Sequence, residues 1–317
     1  MKRTRNQIVQ GLALAFAVFA VLVALADVND LARTLRDFPP TVFGALVALK
    51  LVNWLFRYLQ WHYLLGVVGV RVRAGQPSGP APTPAQPATL NLYESVITFL
   101  VGFPMAVSPG KVGEVLKAAV VKQRTGIPIA RTAPVVLTER IVDGLAVLII
   151  IGLAGLSYPS AVFVEVEGLA ATSVRGLILF TLVGMGAGLA VVQWRSLALQ
   201  VLTLFKRVPV VRRLQPWLLT FYLSSYRMLK LRRLVPTVSF GLVAYGTDCL
   251  ALYLMLTALD VPGGATLLAQ ASFILGFAVI AAALSAMPGG AGAREVSVSL
   301  LVSGIIGGEW ERERMLS

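Results

Sequence analysis

Long apolar segments alternate with short polar ones along the whole chain. Leu12 to Ala26, Val135 to Leu156 and Leu177 to Val192 reach, with their flanks, the roughly 20 apolar residues that a helix needs to cross a bilayer. The pattern predicts one integral membrane domain over residues 1–317. Segments that span or enter the membrane are predicted at 8–27, 40–68, 89–108, 111–124, 132–156, 173–194, 236–259, 265–287 and 293–308. Because not all of them can cross, the predicted fold is an all-α polytopic membrane protein with about six to eight membrane segments.

Two of these segments are interrupted by nearly the same string of residues. Each interruption reads Pro-Gly, then a further Gly, then a Glu close to a basic residue: Lys111 with Glu114 in the first, Arg294 with Glu295 in the second. Proline removes a backbone donor and glycine relaxes the backbone, so neither segment is expected to continue as one helix. The predicted breaks are Pro109, Gly110, Gly113, Pro288, Gly289, Gly290 and Gly292.

Broken backbone at membrane depth is tolerated where it is buried in protein or faces a wet cavity. We therefore predict two re-entrant hairpins, at 89–124 and 265–308. The spans 132–156, 173–194 and 236–259 lie between them, and because their number is odd the hairpins enter from opposite sides as an inverted repeat. Such repeats are typical of transporters with a site near the bilayer midplane. The alternative is that each string is a helix end followed by a turn, since Pro-Gly is a common turn signal.

Composition and charge place the chain in a membrane and predict its orientation. Hydrophobic residues make up 57% of the chain and charged residues 14%, which excludes an ordinary water-soluble domain. The net charge of +13 is spread over alternate loops rather than one patch, so no nucleic-acid partner is predicted. Loop 195–233 has nine Lys or Arg and no acid, whereas 157–172 has two Glu and no base. We predict a multi-pass protein of the cell's inner membrane with a cytoplasmic N-terminus.

Three further stretches have distinctive compositions. Residues 76–87 hold five prolines among small polar residues, which is typical of a flexible or polyproline-like loop. Loop 195–233 is amphipathic as well as basic, so it either lies on the anionic cytoplasmic leaflet or is a solvated orientation signal. The first apolar segment has no small-residue cleavage site after it, so we expect a retained helix rather than a signal peptide.

Charged residues within apolar segments are candidate site residues, because a charge at membrane depth is kept for pairing or for a substrate. Arg57 lies midway along the second segment, and Glu139, Arg140 and Asp143 open the span 132–156. The i, i+3 spacing of Arg140 and Asp143 fits an interfacial ion pair at a helix start as well as a binding site.

Asp248 lies in an apolar run and needs either a partner or a proton. Arg57 and Arg294 are candidate partners, and a protonatable Asp248 would allow coupling to a proton gradient. Cys249 and His62 are the single residues of their types, so no disulfide, thiolate metal site or catalytic histidine is predicted. We expect no cofactor, no metal and no catalytic residue.

Several motif residues, taken in order, resemble one family of membrane proteins. They are Asn91, Phe103-Pro104, Pro109-Gly110, Gly113-Glu114, Lys117, Gly126, Glu139-Arg140, Asp143, Pro288-Gly289-Gly290, Gly292 and Glu295, with Arg57, Trp61 and Leu64-Leu65 in the second segment. This order resembles the flippase-like, lysylphosphatidylglycerol synthase transmembrane-region family over nearly the whole chain. The resemblance implies a membrane domain whose relatives translocate lipids or take part in hopanoid or lipid-linked sugar export.

The chain also departs from that family pattern. The soluble aminoacyl-transferase domain of the two-part enzymes is absent from these 317 residues, so synthesis of a lysyl-lipid is not expected. The Pro-rich insert at 76–87 and the charged ending at 309–314 stand where a tight loop and a last membrane helix would be expected.

Three functions are open at this point. The first is the flipping of a phospholipid or other anionic lipid between leaflets, which makes the chain a transporter rather than an enzyme. The second is a membrane-embedded lipid-modifying or lipid-linked glycosyl transferase, and the third is a non-catalytic partner of a lipid enzyme. The predicted partners are membrane lipids with an anionic headgroup, with a second copy of the chain or a lipid-synthesis enzyme as a further partner. The predicted substrate-binding residues are Arg57, Asn91, Lys111, Glu114, Arg140, Asp143, Arg294 and Glu295.

Overall fold

The computed structural model describes residues 36, 38–81, 83, 86–105, 114–158, 171–196, 200, 209–285, 287, 290 and 292–307. The first predicted segment, 8–27, lies outside the described residues. Six of the predicted site and break residues also lie outside them: Pro109, Gly110, Lys111, Gly113, Pro288 and Gly289.

The described residues are mostly helical. The helices are α1 (Pro40–Val67), α2 (Leu92–Met105), α3 (Leu116–Thr125), α4 (Ile129–Ser157), α5 (Ala171–Gln193), α6 (Pro209–Met228), α7 (Leu231–Thr257), α8 (Ala265–Leu284) and α9 (Ala293–Leu301), followed by a π-helical segment, Val302–Gly307. Two short strands, β1 (Val70–Arg73) and β2 (Ala88–Asn91), lie between α1 and α2. The predicted helical character of the chain is confirmed for the described residues.

Four of the described helices, α1, α4, α7 and α8, are long and apolar enough to cross a membrane. Proline marks two of their starts: Pro40 is the first residue of α1, and Pro128 directly precedes α4. Proline suits these positions because the first backbone N–H groups of a helix have no partner inside the helix. The total number of crossings stays a prediction.

Helix α4 lies at the centre of the bundle and packs against α3, α6, α7 and α8. Its apolar side chains, among them Val147 and Ile151, join those of α7 and α8 in one buried core. The packing against α8 is close at Gly276, where a Cβ atom would lie 2.6 Å from Cγ1 of Ile151. Glycine at this position therefore lets the two helices approach each other.

Helix α1 runs antiparallel to α7. Lys50 contacts Asp248 near one end of the pair, and Tyr63 packs on Phe240 further along. At its C-terminal end α1 contributes Trp61, Leu64 and Leu65 to a second buried core shared with the strands, α3 and α4. This second core closes the end of the bundle that we call the strand end.

The parallel strand pair is a feature that the sequence analysis does not predict. Val70 pairs with Ala88 and Arg73 with Asn91, and the Pro-rich segment connects the two strands. Within that segment the backbone of Gly79 exchanges hydrogen bonds with Thr89, with N···O distances of 2.9 and 3.0 Å. Strands of four residues are too short for the alternation of apolar and polar positions to be recognised in the sequence.

Helices α2 and α3 flank the first interruption. They have 14 and 10 residues, which at 1.5 Å per residue gives about 21 and 15 Å, less than the roughly 30 Å of a hydrocarbon core. Glu94 in the first turn of α2 and Arg124 in the last turn of α3 form an ion pair at 3.0 Å. Helix α2 therefore begins at the level where α3 ends, next to the strands.

Candidate functional site

A cavity of about 720 Å³ lies inside the bundle. Described residues at both interruptions line it: Gly102, Phe103 and Glu114 flank the first, and Leu284, Met287, Gly290 and Arg294 flank or belong to the second. Helices α1, α4 and α7 supply most of its charged side chains. Two elements that are far apart in the sequence therefore meet at one polar space.

A charged network anchored on Asp143 lines this cavity. Nη1 of Arg57 donates to Oδ1 of Asp143 at 3.2 Å, and Nη1 of Arg140 lies 3.1 Å from Oδ2 of the same carboxylate. Nη2 of Arg140 then lies 3.5 Å from Oε2 of Glu114. The network thus alternates in sign from Arg57 to Glu114 and links α1, α4 and the start of α3.

Neutral groups on the same side fix the position of the Arg57 guanidinium. Its Nε donates to Oδ1 of Asn53 at 3.2 Å, and Nδ2 of Asn53 donates to the backbone carbonyl of Ala244 at 2.6 Å. The guanidinium carbon also lies 4.9 Å from the ring centroid of Tyr245, which is a cation–π distance. Arg57 is therefore held on three sides by α1, α4 and α7.

Part of the hydrogen-bonding capacity of the network is unused. Oε2 of Glu114, Oδ2 of Asp143 and Nε of Arg140 are buried atoms without a hydrogen-bond partner among the described residues. Their ion-pair contacts supply charge but not hydrogen-bond geometry. Buried polar atoms of this kind are costly unless a further partner satisfies them, so the network can accept a polar ligand.

A second ion pair lies closer to the strand end. Nζ of Lys117 donates to Oε2 of Glu139 at 2.8 Å, and both side chains are buried. The same ammonium lies 4.6 Å from the ring centroid of Trp61. Gly102 on α2 makes room for the lysine, because a Cβ there would lie 2.8 Å from its Cδ.

A third ion pair joins α1 and α7 at the opposite end of the cavity. Nζ of Lys50 donates to Oδ1 of Asp248 at 3.2 Å. The predicted candidate partners of Asp248 are Arg57 and Arg294, whereas its ion-pair partner in the structure is Lys50, because α1 and α7 pack antiparallel with Lys50 and Asp248 at the same level. A proton-coupling role for Asp248 stays a prediction.

Comparison with known proteins bears on this arrangement. The family model of the lysylphosphatidylglycerol synthase transmembrane region matches residues 10–309. The chain belongs to this family. The resemblance noted in the sequence is therefore confirmed.

A curated relative of this family member is the glycosyltransferase AglD of Haloferax volcanii, which is 26% identical over 155 residues. The match covers 47% of this chain and 22% of AglD, so the chain spans about a fifth of that relative's length. No solved structure matches the chain.

In this member of the lysylphosphatidylglycerol synthase transmembrane-region family, most of the described predicted site residues lie together. Those that line the cavity are Arg57, Glu114, Arg140, Asp143, Asp248, Gly290 and Arg294. Gly290 and Gly292 have φ values of 72° and 83°, which explains why the second interruption uses glycine at these two positions.

Two of the predicted substrate-binding residues that the structure describes do not line the cavity. Asn91 lies beside the strands, where its Nδ2 donates to the carbonyl of Gln76 at 2.8 Å and its Oδ1 accepts from the N–H of Tyr93 at 2.9 Å. Glu295 accepts a hydrogen bond from the N–H of Gly292 at 2.7 Å and so caps the start of α9. Both side chains stabilise local backbone.

Several cavity residues were not among the predicted binding residues. Lys50 lies ten residues after the start of the predicted segment 40–68, and Lys117 lies midway along 111–124. Asn53 lies about one helical turn before Arg57 in α1, and Tyr245 lies about one turn before Asp248 in α7. Their closeness to these charged residues was the available signal that they belong to the same site.

Proposed function

We propose that this family member moves an anionic lipid, such as a phospholipid, between membrane leaflets. The observation that carries the proposal is that the borders of both interruptions line one cavity that also holds the charged network of Arg57, Arg140 and Asp143. Arg57 belongs to α1 and the other two to α4, and both helices are long and apolar enough to span a membrane. Ionisable groups inside membrane-spanning helices typically line a substrate pathway or pair with each other.

The lining of the cavity suits an amphiphile. The lining includes the ion pairs and also apolar side chains, among them Trp54, Phe103 and Leu284. These three are 41%, 39% and 48% exposed, so they border the surface that would face lipid. A headgroup can contact the charged side chains while acyl chains contact the apolar ones.

The charge balance of the described lining favours an anion. It has five basic residues, Lys50, Arg57, Lys117, Arg140 and Arg294, and four acidic residues, Glu114, Glu139, Asp143 and Asp248. Arg294 has no ion-pair partner among the described residues, while the other four bases have one. Arg294 is therefore the proposed primary contact for a phosphate.

The re-entrant, inverted arrangement of the two interruptions is part of the proposal. The ion pair between Glu94 and Arg124 supports a return of α3 to the side from which α2 enters. Helix α9 packs back against α8, as the second arm of a hairpin would. The proposed membrane is the inner membrane of the cell, with the basic loops on the cytoplasmic side.

Leaflet exchange in proteoliposomes tests the proposal. Fluorescent phosphatidylglycerol, phosphatidylethanolamine and phosphatidylcholine are each reconstituted with wild type, Glu114→Ala, Arg294→Ala and the control Arg71→Ala, which changes an exposed residue of β1 outside the cavity. We expect wild type and the control to exchange the anionic lipid fastest, and both cavity variants to lose exchange while remaining folded. Exchange by Glu114→Ala at the wild-type rate would contradict the proposed site.

A transferase using a lipid-linked sugar donor is the second candidate, because the relative AglD is named a glycosyltransferase. The match covers 22% of that protein, so its activity is weak support for the same activity here. Incubation of the purified chain with a radiolabelled polyprenyl-phosphate sugar and extracted lipids tests this reading. A labelled product that forms only when the purified chain is present would favour the transferase over the transporter.

A further inference from the structure

Helix α1 presents a continuous polar stripe to the cavity. Lys50, Asn53, Arg57 and Gln60 follow one another at intervals of three, four and three residues and all line the cavity. Residues at these intervals share one face of an α-helix. At 1.5 Å per residue, Lys50 lies about 10 Å along the helix from Arg57 and about 15 Å from the start of α1. The Lys50 end of the stripe therefore points from the charged network towards the end of the bundle opposite the strands.

Lys50 differs from the other paired cations of the cavity in its accessibility. Its side chain is 54% exposed, compared with 35% for Arg140, 20% for Arg57 and 5% for Lys117. An ammonium group has three N–H donors, and one acceptor contacts it among the described residues, Oδ1 of Asp248 at 3.2 Å. Lys50 can thus take a second oxygen ligand, which the buried Lys117 has little room to do.

Asp248, the ion-pair partner of Lys50, belongs to the wall of the cavity. Asp248 is 16% exposed and lies on α7, nine residues before the end of that helix, or about 14 Å. Because Lys50 lies well inside a membrane-spanning helix, its ammonium group needs a counter-charge when no substrate is present. A carboxylate supplies that charge and also resembles a phosphate in its oxygen acceptors, so the two can replace each other on one ammonium group.

We infer that Lys50 is a second phosphate-binding position for the lipid headgroup. The ion pair between Lys50 and Asp248 then persists only until a phosphate displaces the Asp248 carboxylate. This inference rests on the proposed lipid translocation and extends it by a step. A headgroup held near Arg294 and the central network would pass along the stripe of α1 to Lys50. The released carboxylate of Asp248 remains at the cavity wall, where it rebinds Lys50 after the lipid leaves.

The inference predicts opposite effects for the two partners of one ion pair. Lys50→Gln removes the phosphate ligand and should weaken lipid binding. Asp248→Asn removes the competitor of the phosphate and should strengthen it. An ion pair with a purely structural role would instead respond to both substitutions in the same direction.

The experiment measures binding and exchange separately. Equilibrium binding of fluorescent phosphatidylglycerol is measured in detergent, and leaflet exchange is measured in phosphatidylcholine vesicles, for wild type, Lys50→Gln, Asp248→Asn and the double variant. Lys122→Gln is the control, because it removes an exposed lysine of α3 that does not line the cavity. The double variant has no net charge change and so keeps the test valid if a single variant unfolds.

We expect Lys50→Gln to lower the apparent affinity by roughly tenfold, as for the loss of one charge-assisted hydrogen bond. Asp248→Asn should raise it by about twofold to fivefold, the range for releasing a partly exposed ion pair. The double variant should bind like Lys50→Gln. Equal losses in both single variants, or wild-type affinity in the double variant, would overturn the inference. Wild-type binding without any exchange would instead overturn the proposed function, and the affinities would still decide the role of Lys50.

Discussion

Arg57 on α1 and Asp143 on α4 lie 3.2 Å apart, although 86 residues separate them in the sequence. The contact brings together an apolar segment near the start of the chain and one near its middle, each carrying a charge that would be costly in hydrocarbon alone. Asp143 also contacts Arg140, so a single carboxylate serves two guanidinium groups.

Asp143→Asn should lower the stability of the protein markedly. The change leaves Arg140 with Glu114 as its remaining carboxylate contact in the described network, and leaves Arg57 with none there. Breaking one partner of a buried ion pair typically costs about 3–5 kcal/mol. Thermal unfolding in detergent measures the effect. Asp260→Asn is the matched control, because Asp260 lies in a turn at φ 63°, a conformation that asparagine also adopts readily. Equal unfolding midpoints for the two variants would contradict a structural role of the network.

The pair of Lys117 and Glu139 allows a test that separates stability from function. Lys117→Met alone leaves a buried carboxylate and should cost about 3–5 kcal/mol, whereas the double variant Lys117→Met with Glu139→Leu should recover most of that loss. If the pair lines the lipid pathway, the stable double variant should still exchange lipid more slowly than wild type. Unfolding midpoints and leaflet exchange are compared on the same preparations. Full exchange in the double variant would assign the pair to folding alone.

Gly276→Ala should disturb the packing of α8 on α4. The new Cβ would lie 2.6 Å from Cγ1 of Ile151, so the Ile151 side chain or the helices must shift, and overpacking of this kind costs about 1–3 kcal/mol. Gly246→Ala on α7 is the control, because nothing lies within 4 Å of its Cβ position. The control should be neutral or stabilising by up to about 1 kcal/mol, since alanine favours a helix over glycine. Similar midpoints for both variants would show that α8 and α4 are not tightly packed at this point.

Arg294→Gln and Glu295→Gln should differ sharply although the residues are neighbours. Arg294 lines the cavity, and its loss should slow lipid exchange by roughly tenfold, as for one charge-assisted hydrogen bond to phosphate. Glu295 caps α9 through the N–H of Gly292, and glutamine keeps that acceptor. Exchange by the Glu295 variant should therefore stay within about twofold of wild type. A large loss in that variant alone would return Glu295 to the substrate-binding residues.

The sequence was sufficient for those features that depend on local composition. Apolar runs of sufficient length identify α1, α4, α7 and α8, because helix formation in a bilayer requires little more than length and hydrophobicity. The second interruption was visible as well, since proline and glycine act on their own backbone, and Gly290 and Gly292 adopt the positive φ values that favour glycine. Strands β1 and β2 were missed because four residues carry too little periodicity.

The partner of each buried charge was decided by the tertiary structure. The sequence shows that Asp248 needs a counter-charge, but Lys50 lies 198 residues away and is level with it because α1 and α7 pack antiparallel. Glu295 and Glu114 look equivalent in the repeated string, yet one caps a helix and the other contacts Arg140. Hydrophobicity and backbone preference are properties of short stretches and can be read from them. Charge pairing depends on which helix faces meet, and that is set by contacts between distant segments, such as Gly276 with Ile151.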